Sequence, residues 1–486
     1  MNKTKVVRPI VFNIFLFCFL CTGCKPSAEN PSKPQKPNIV LIMVDDLGKE
    51  WVGAYGTDSI ATPNIDALAE TGIRFKNAYA MPQCTPTRLT LLTGQYPFRH
   101  GWVNHWDVPR WGGGAHFDDE LYPSLGRSMK KAGYETCISG KWQIDDFRVE
   151  PDALTKSGFD SYCMWTGYEE GVPASAERYQ NPYVYQDGKS RTRAGEFGPD
   201  VFANYVRDFI EANREKPFFV YYPMVLTHTP LVNTPDETGE TDLDKHKAMV
   251  RYMDQLTGEI TAAIDDAKIR ENTIIIWTTD NGSTRKITGH INGQPIKGAK
   301  MLTNEAGTAV PFIVNWKGQN HKKIVSDALI DFSDLLPTLV DLAGSSIDSS
   351  KKVDGLSFKK ILLDPTQDSN REWILSMGGG NHAKLTDQGV ENQYIFRDRV
   401  LRNKKYKLYV DYRRQPEKFF DMIEDPYEQS NLIDEINTRE QKEHFEKLVA
   451  VIETFPKADN DPQYRPNPPQ KWDVEITAES QNWKIE

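Results

Sequence analysis

Long apolar runs, a broad positive charge and zinc-type cysteine spacings are all missing from this chain, and each absence closes off a class of protein. Its 486 residues are 39% hydrophobic and 26% charged. That balance suits a folded protein burying one large or two unequal cores, which excludes a disordered chain and a multispan membrane protein. Acidic residues outnumber basic ones 68 to 59, for a formal net charge of -9. This argues against a nucleic-acid partner, so any anion must be received in a local pocket. Cysteine is scarce, six in all, and its spacings hold no zinc pattern. No internal repeat is visible.

What is present begins with an export signal. Lys3, Lys5 and Arg8 precede an apolar run from Ile10 to Leu20, too short to cross a bilayer, and small residues Thr22 and Gly23 follow. The segment Cys21-Thr22-Gly23-Cys24 resembles a bacterial lipoprotein cleavage box with Cys24 as the acylated residue, although Cys21 stands where that pattern usually has Leu. The alternative is a plain secretory signal with an incidental cysteine. Both readings export the chain, to the periplasm or cell surface, with a lipid anchor as its only membrane attachment. The expected organisation is a signal over 1–23, a Pro-, Ser- and Lys-rich tether over 24–37, a main domain over 38–350 and a C-terminal subdomain with its tail over 351–486. Cys84, Cys137 and Cys163 remain in the folded body, an odd number for an exported chain. Cys137 and Cys163 could pair or stand as small buried thiols.

Several segments are continuous apolar runs, as strands covered on both faces require. Asn38 to Val44 ends in Asp45-Asp46, Thr273 to Thr279 in Asp280-Asn281-Gly282, Phe218 to Leu226 near His228, and Tyr134 to Ser139 at Gly140-Lys141. Helical patterns lie between them, after Thr62-Pro63, after Pro123, after Pro199 and over Lys245 to Ala267. This alternation predicts an α/β fold with a mostly parallel central sheet and helices on both faces. Ligands of such sheets sit beyond the carboxyl ends of the strands, so these polar residues would converge on one crevice. After a helix-like Asp331 to Ala343, the alternating segments Gln393 to Leu401, Tyr406 to Tyr412 and Lys418 to Ile423 predict a smaller antiparallel subdomain. The helix-like Thr438 to Phe455 would pack on it, and the tail from Lys457 would wrap the surface.

In MPQCTPTRLTLLTG, Pro86 suits a first helical turn and Gly94 a stop, which places Cys84 at a helix amino end. Free backbone N–H groups make such an end an anion site, and Arg88 lies one turn on. Cys84-Thr85-Pro86-Thr87-Arg88 resembles the Cys-x-Pro-x-Arg signature of the type I sulfatases, in the alkaline-phosphatase-like superfamily. Asp45-Asp46, Thr62 to Asp66, Gly140-Lys141-Trp142, His228, Asp280-Asn281-Gly282, Lys300 to Gly307 and Phe420 to Pro426 are similar too, in the family's order over about Pro37 to Leu432.

The resemblance implies that an installing enzyme oxidises Cys84 to formylglycine. One hydroxyl of its hydrate would attack the sulfur of a sulfate ester, and the other would lose its proton as the carbonyl reforms and expels sulfate. Asp45, Asp46, Asp280 and Asn281 offer only hard oxygens, which favour Ca²⁺, with Mg²⁺ second, and residue 84 would share that ion. The resemblance further implies that Arg88 orients the formylglycine, that Lys141 and Lys300 hold sulfate oxygens and that His228 is the general acid at the leaving oxygen. Gln143 departs from the pattern, standing where the family commonly has His. It can hydrogen-bond the hydroxyls but cannot shuttle a proton, which leaves His100 and the metal-bound carboxylates as stand-ins.

The Gly-rich stretch His100 to Phe117 carries Trp102, His105, Trp106, Trp111 and His116, suited to stacking on sugar or to packing under a loop. His105 and His290 are further candidates for facing substrate. The sum is an exported sulfatase acting on sulfated carbohydrate. Two alternatives stand beside it: a phosphonate monoester or phosphodiester hydrolase of the same superfamily, and a non-catalytic lipoprotein that binds sulfated glycans.

Overall fold

A computed structural model of the protein describes residues 1, 36–103, 115–118, 120–167, 177–378, 383–386, 389–392, 396–457, 459 and 465–466. The architecture is that of the unit Lys36–Glu486. Cys24 and the signal, His105, Trp106, Trp111 and most of the tail lie outside the described residues.

The strand Asn38–Val44 shows why the apolar runs are continuous. Ile39, Leu41 and Met43 enter one core while Val40, Ile42 and Val44 enter a second on the opposite face. Side chains of a strand alternate sides, so a strand at the centre of a layered fold needs apolar residues at every position. It pairs in parallel with Phe218–Pro223 and Thr273–Thr279. Glu135–Lys141 and Ser161–Trp165 extend the parallel set beyond Phe218–Pro223. The complete ten-stranded sheet runs Ile324–Asp331, Ile73–Tyr79, Phe312–Trp316, Thr273–Thr279, Asn38–Val44, Phe218–Pro223, Glu135–Lys141, Ser161–Trp165, Tyr183–Gln186, Lys189–Thr192. Phe312–Trp316 is antiparallel to both neighbours, and the last two strands form an antiparallel edge. The sheet is thus mixed around a parallel centre.

Helices cover both faces. Cys84–Thr93, Leu125–Lys131 and Leu335–Leu342 send Leu89, Leu125, Leu336 and Leu339 into the first core. Pro63–Glu70, Gly198–Ala212 and Asp242–Asp266 send Ile65, Phe202, Val206, Met249 and Ile260 into the second. The start signals hold: Pro63 opens its helix after Thr62, and Ser124 caps Leu125–Lys131 by accepting from the Arg127 N–H. The expected strand Tyr134 to Ser139 is Glu135–Lys141, so Gly140 and Lys141 are its last residues and not the turn beyond it. Gly140 has φ +120, and a Cβ there would stand 2.0 Å from the Pro223 carbonyl oxygen, so only glycine lets the two strands close up beside Lys141.

The smaller subdomain is a four-stranded antiparallel sheet ordered Ile374–Met377, Arg399–Arg402, Tyr406–Val410, Pro416–Asp421. Helix Arg439–Glu453, capped by a Thr438/Gln441 box, lays Leu448 and Ile452 against Leu401, Leu408 and Phe419. Among the described residues no helix is long and apolar enough to cross a membrane. Cys137 and Cys163 are buried free thiols on neighbouring strands, which closes the alternative of a disulfide.

Trp102 is fully buried beside Tyr122 and His100, so it is a packing residue and not a sugar platform. His100 Nδ1 accepts the Trp102 N–H at 3.2 Å, and its Nε2 lies 3.2 Å from Thr90 Oγ1. Burial pushes His100 and His246 down to about 3. Both bind protons in the unfolded chain near pH 6.5 but not in the folded one. Their contribution to stability is therefore complete above about pH 6.5 and is lost as pH falls toward 3, at up to about 1.4 kcal/mol per pH unit for each. Urea unfolding between pH 7 and 4 should show this decline, and His246→Phe should reduce its slope.

Candidate active site

The parallel strands deliver their polar ends to one place. Asp45 and Asp46 follow Asn38–Val44, Asp280 and Asn281 follow Thr273–Thr279, and Lys141 closes Glu135–Lys141. Cys84 is the first residue of a ten-residue helix whose every residue is buried. His228 lies on the segment after Phe218–Pro223, and Lys300 lies ahead of the short helix Glu305–Thr308.

Hydrogen bonds and ion pairs link the carboxylates to the cations, and Cys84 and His228 stand within 4.8 Å of carboxylate oxygens. The Asp46 N–H donates to Asp280 Oδ1 at 3.1 Å, and Asn281 Nδ2 donates to Asp46 Oδ1 at 2.8 Å. Arg88 Nη2 donates to Asp280 Oδ2 at 2.7 Å, while its Nη1 donates to the Lys141 carbonyl at 2.8 Å. Lys141 Nζ lies 2.6 Å from Asp45 Oδ2, and Lys300 Nζ 2.8 Å from Asp46 Oδ2. His228 Nε2 is 3.7 Å from the same Asp46 oxygen. The Cys84 thiol donates to Gln143 Oε1 at 3.2 Å. Every site residue expected from the sequence and lying inside the described region, save His290 and the stand-in His100, therefore shares one cluster or is bonded to it.

His290 stands exposed on the hairpin strand Thr288–Ile291, its backbone N–H donating to Ser59 Oγ at 2.8 Å. Among the described residues it shares no hydrogen bond with the carboxylates. Three further residues bear on the cluster and were not singled out by the sequence, Thr87 being an unspecified position of the signature. Glu50 is buried and accepts from Ser283 Oγ, which in turn accepts the Gly48 N–H at 2.9 Å, tying the two carboxylate-bearing turns together. Thr87 Oγ1 reaches the Asp280 carbonyl at 2.7 Å. Arg178 lies over the Trp165 ring at 4.2 Å, with Nε and Nη1 buried and without a hydrogen-bond partner. Its charge bears on His228. An isolated arginine gives no sequence signal.

Charge decides the protonation states. Burial would raise Asp45, but the permanent cations Lys141, Arg88 and Lys300 outweigh it and hold the carboxyl well below its usual range. Asp280 is pushed up to about 7 by burial and by Asp45, against Arg88 and Lys141. Burial and Lys300 hold His228 well below the usual imidazole value, so it is neutral. Its Nδ1 is 2.6 Å from the Thr229 carbonyl, which only accepts, so Nδ1 carries the proton and Nε2 is bare toward Asp46.

The donor set fits a hard divalent cation. Asp45 Oδ1 and Asn281 Oδ1 are buried oxygens with no hydrogen-bond partner, a costly state that cation coordination relieves. Asp45 with Asp46 and His228, and Asp45 with Cys84 and Asp280, each bring ligand atoms within 4.8 Å of one another. Metal stripping with EDTA should therefore lower the melting temperature through this site. Titrating Ca²⁺ or Mg²⁺ back should restore it, and Asp280→Ala should abolish the response. Arg88→Met, which strands Asp280 beside Asp45, should cost about 3–5 kcal/mol in chemical denaturation of the stripped protein.

A family model described as Sulfatase matches residues 37–345, and one described as N-sulphoglucosamine sulphohydrolase, C-terminal, matches residues 299–454. The human N-acetylgalactosamine-6-sulfatase is 32% identical over 352 residues, 68% of this chain, which spans 66% of that protein's length. The N-acetylgalactosamine-6-O-sulfatase of Bacteroides thetaiotaomicron is 28% identical over 494 residues, covering 85% of this chain and 93% of that one. The solved structure of Ps i-CgsB superposes with a TM-score of 0.73 at 24% identity, over 88% of this chain and 95% of that one.

Proposed function

Because the chain belongs to the type I, formylglycine-dependent sulfatase family of the alkaline-phosphatase-like superfamily, we propose that it is an exported sulfuric-ester hydrolase acting on sulfated carbohydrate. The observation that carries this reading is Cys84 at a buried helix start, within ligand distance of Asp45 and Asp280. The names of its relatives, two N-acetylgalactosamine-6-sulfatases and an ulvan-active sulfatase of Formosa agariphila, support a substrate among the sulfated glycans.

In this reading an installing enzyme converts Cys84, and the resulting aldehyde hydrate supplies the attacking hydroxyl and a second one through which sulfate is released. Asp45, Asp46, Asp280 and Asn281 would hold Ca²⁺, or Mg²⁺ as second choice, and the ion would lower the hydroxyl pKa and polarise a sulfate oxygen. Arg88 fixes Asp280 and the strand end of Lys141, and so sets where residue 84 stands. Three carboxylates already face three permanent cations, so the added ion gives the site net positive charge for an oxyanion. Lys141 and Lys300 then turn toward sulfate oxygens without leaving their carboxylates uncompensated.

His228 must take up a proton at the bare Nε2 before it can act as general acid, and an incoming anion favours that charge. Gln143 orients the residue 84 side chain through its carbonyl oxygen. It cannot accept the proton of the release step, and His100, with both ring nitrogens engaged, is no substitute. Export through the segment 1–23 and lipidation at Cys24 belong to the same proposal.

Mass spectrometry of the tryptic fragment Asn77 to Arg88 from a host with the maturation machinery should show the mass of formylglycine. An unmodified thiol throughout would favour a glycan-binding lipoprotein, for which binding survives Cys84→Ala. With aryl sulfate and aryl phosphodiester assayed in parallel, the sulfate should dominate, and a faster phosphodiesterase rate would replace this reading.

A further inference from the structure

Lys300 is the one cation of the cluster that is carried by a loop and not by a strand or helix. Its position depends on what holds that loop. On the side of the cluster, the N–H groups of Gly298, Lys300, Met301 and Leu302 donate to Ile287, Ser283, Pro82 and Ala299 carbonyls at 3.0, 3.0, 2.8 and 2.9 Å. Met301 has φ 78, a left-handed conformation that a non-glycine residue holds only when its surroundings impose it. On the far side the loop runs into Glu305, and there the C-terminal sheet takes hold of it.

The grip is a half-buried charge cluster around a buried lysine. The Glu305 N–H donates to Glu428 Oε2 at 2.8 Å. Lys407 Nζ, on the strand Tyr406–Val410, lies 3.2 Å from Glu305 Oε2 and 2.8 Å from Glu428 Oε1, with its side chain 1% exposed. Tyr79 donates to Glu305 and Tyr409 to Glu428, while Arg402 Nη1 reaches Glu305 Oε1 at 3.2 Å. Tyr409 also lies 3.4 Å from the Thr303 carbonyl. Two carboxylates thus share one buried ammonium. Without it they would face each other with Arg402 and the more distant Lys49 as the remaining cations. Their repulsion then pushes Glu305 and Glu428 apart, and Glu305, which opens the short helix after the Lys300 loop, carries that loop with it against its bonds to Tyr79 and Arg402.

We propose that Lys407 is a positioning residue for Lys300: by neutralising Glu305 and Glu428 together, it clamps the Lys300 loop to the C-terminal sheet and sets where that ammonium stands over Asp46. What Lys300 does with sulfate rests on the function proposed above, but the clamp itself does not. The subdomain then completes the site from a distance, which gives a role to a buried lysine on a sheet that shares no side chain with the carboxylate cluster among the described residues.

Hydrogen exchange and kinetics test this separately. In Lys407→Met, or in Glu428→Gln if the first fails to fold, amides of 298–302 should exchange about tenfold or more faster, while those of Thr273–Thr279 stay unchanged. Lys407→Arg should restore most of the protection. For an aryl sulfate, kcat/KM should fall about tenfold or more in the parent and less than about twofold in a Lys300→Ala background, as expected if the two residues act as a unit. Unchanged exchange at 298–302, equal acceleration in the central strand, or the same fold-loss in both backgrounds would overturn the proposal. A parent that turns over no aryl sulfate would sink the proposed function, and the exchange measurement would still decide the clamp.

Discussion

Three carboxylates, Asp45, Asp46 and Asp280, meet in the protein interior, and much of the architecture answers the repulsion this creates. Each is almost fully excluded from water. In that setting each negative charge must be matched or given up. Arg88 from the Cys84 helix answers Asp280, Lys141 from a neighbouring strand answers Asp45, and Lys300 from a loop answers Asp46. The remaining oxygens without a hydrogen bond, Asp45 Oδ1 and Asn281 Oδ1, mark where a hard cation completes the balance.

The parallel sheet is the device that makes such a cluster possible. Neighbouring parallel strands end on the same side, so Val44, Thr279 and Lys141 hand over their following residues within a few strand spacings. The backbone adds rigidity where the charges meet. The Asp45 carbonyl accepts from the Thr227 N–H and the Asp45 N–H donates to the Leu226 carbonyl, both at 2.7 Å. Asp46 takes a left-handed φ of 63, which turns its carboxylate back toward Asn281 and Lys300. The Glu50–Ser283 bond pins the same two turns from beneath.

Each cation is thus supported by a different kind of element. Arg88 is held by a helix packed through Leu89 and Leu92, Lys141 by a strand that only Gly140 lets approach its neighbour, and Lys300 by a loop clamped from the second sheet. The weakest element is the loop, and it is there that the C-terminal subdomain contributes. A second sheet that looks in the sequence like a mere appendage is therefore part of what holds the site in register.

The residues Asn38–Val44 and Thr273–Thr279 were legible as buried strands because a strand covered on both faces must be apolar throughout, and that leaves an unmistakable run. Cys84 at a helix start was legible from Pro86 and Gly94, which act through local backbone geometry. The strands Ile73–Tyr79 and Ile324–Asp331 left no such mark, since IRFKNAY and IVSDALID mix polar and apolar residues. Glu50, Arg178, Glu428 and Lys407 were silent for a different reason: a single charged residue means nothing until its partner is known, and those partners are set by packing. The chemistry of the site was thus determined by residue types written in the sequence. Their charge states, their pairing and the clamp on Lys300 were decided only by the tertiary structure, because electrostatic energy depends on distance and burial, which no local stretch of chain contains.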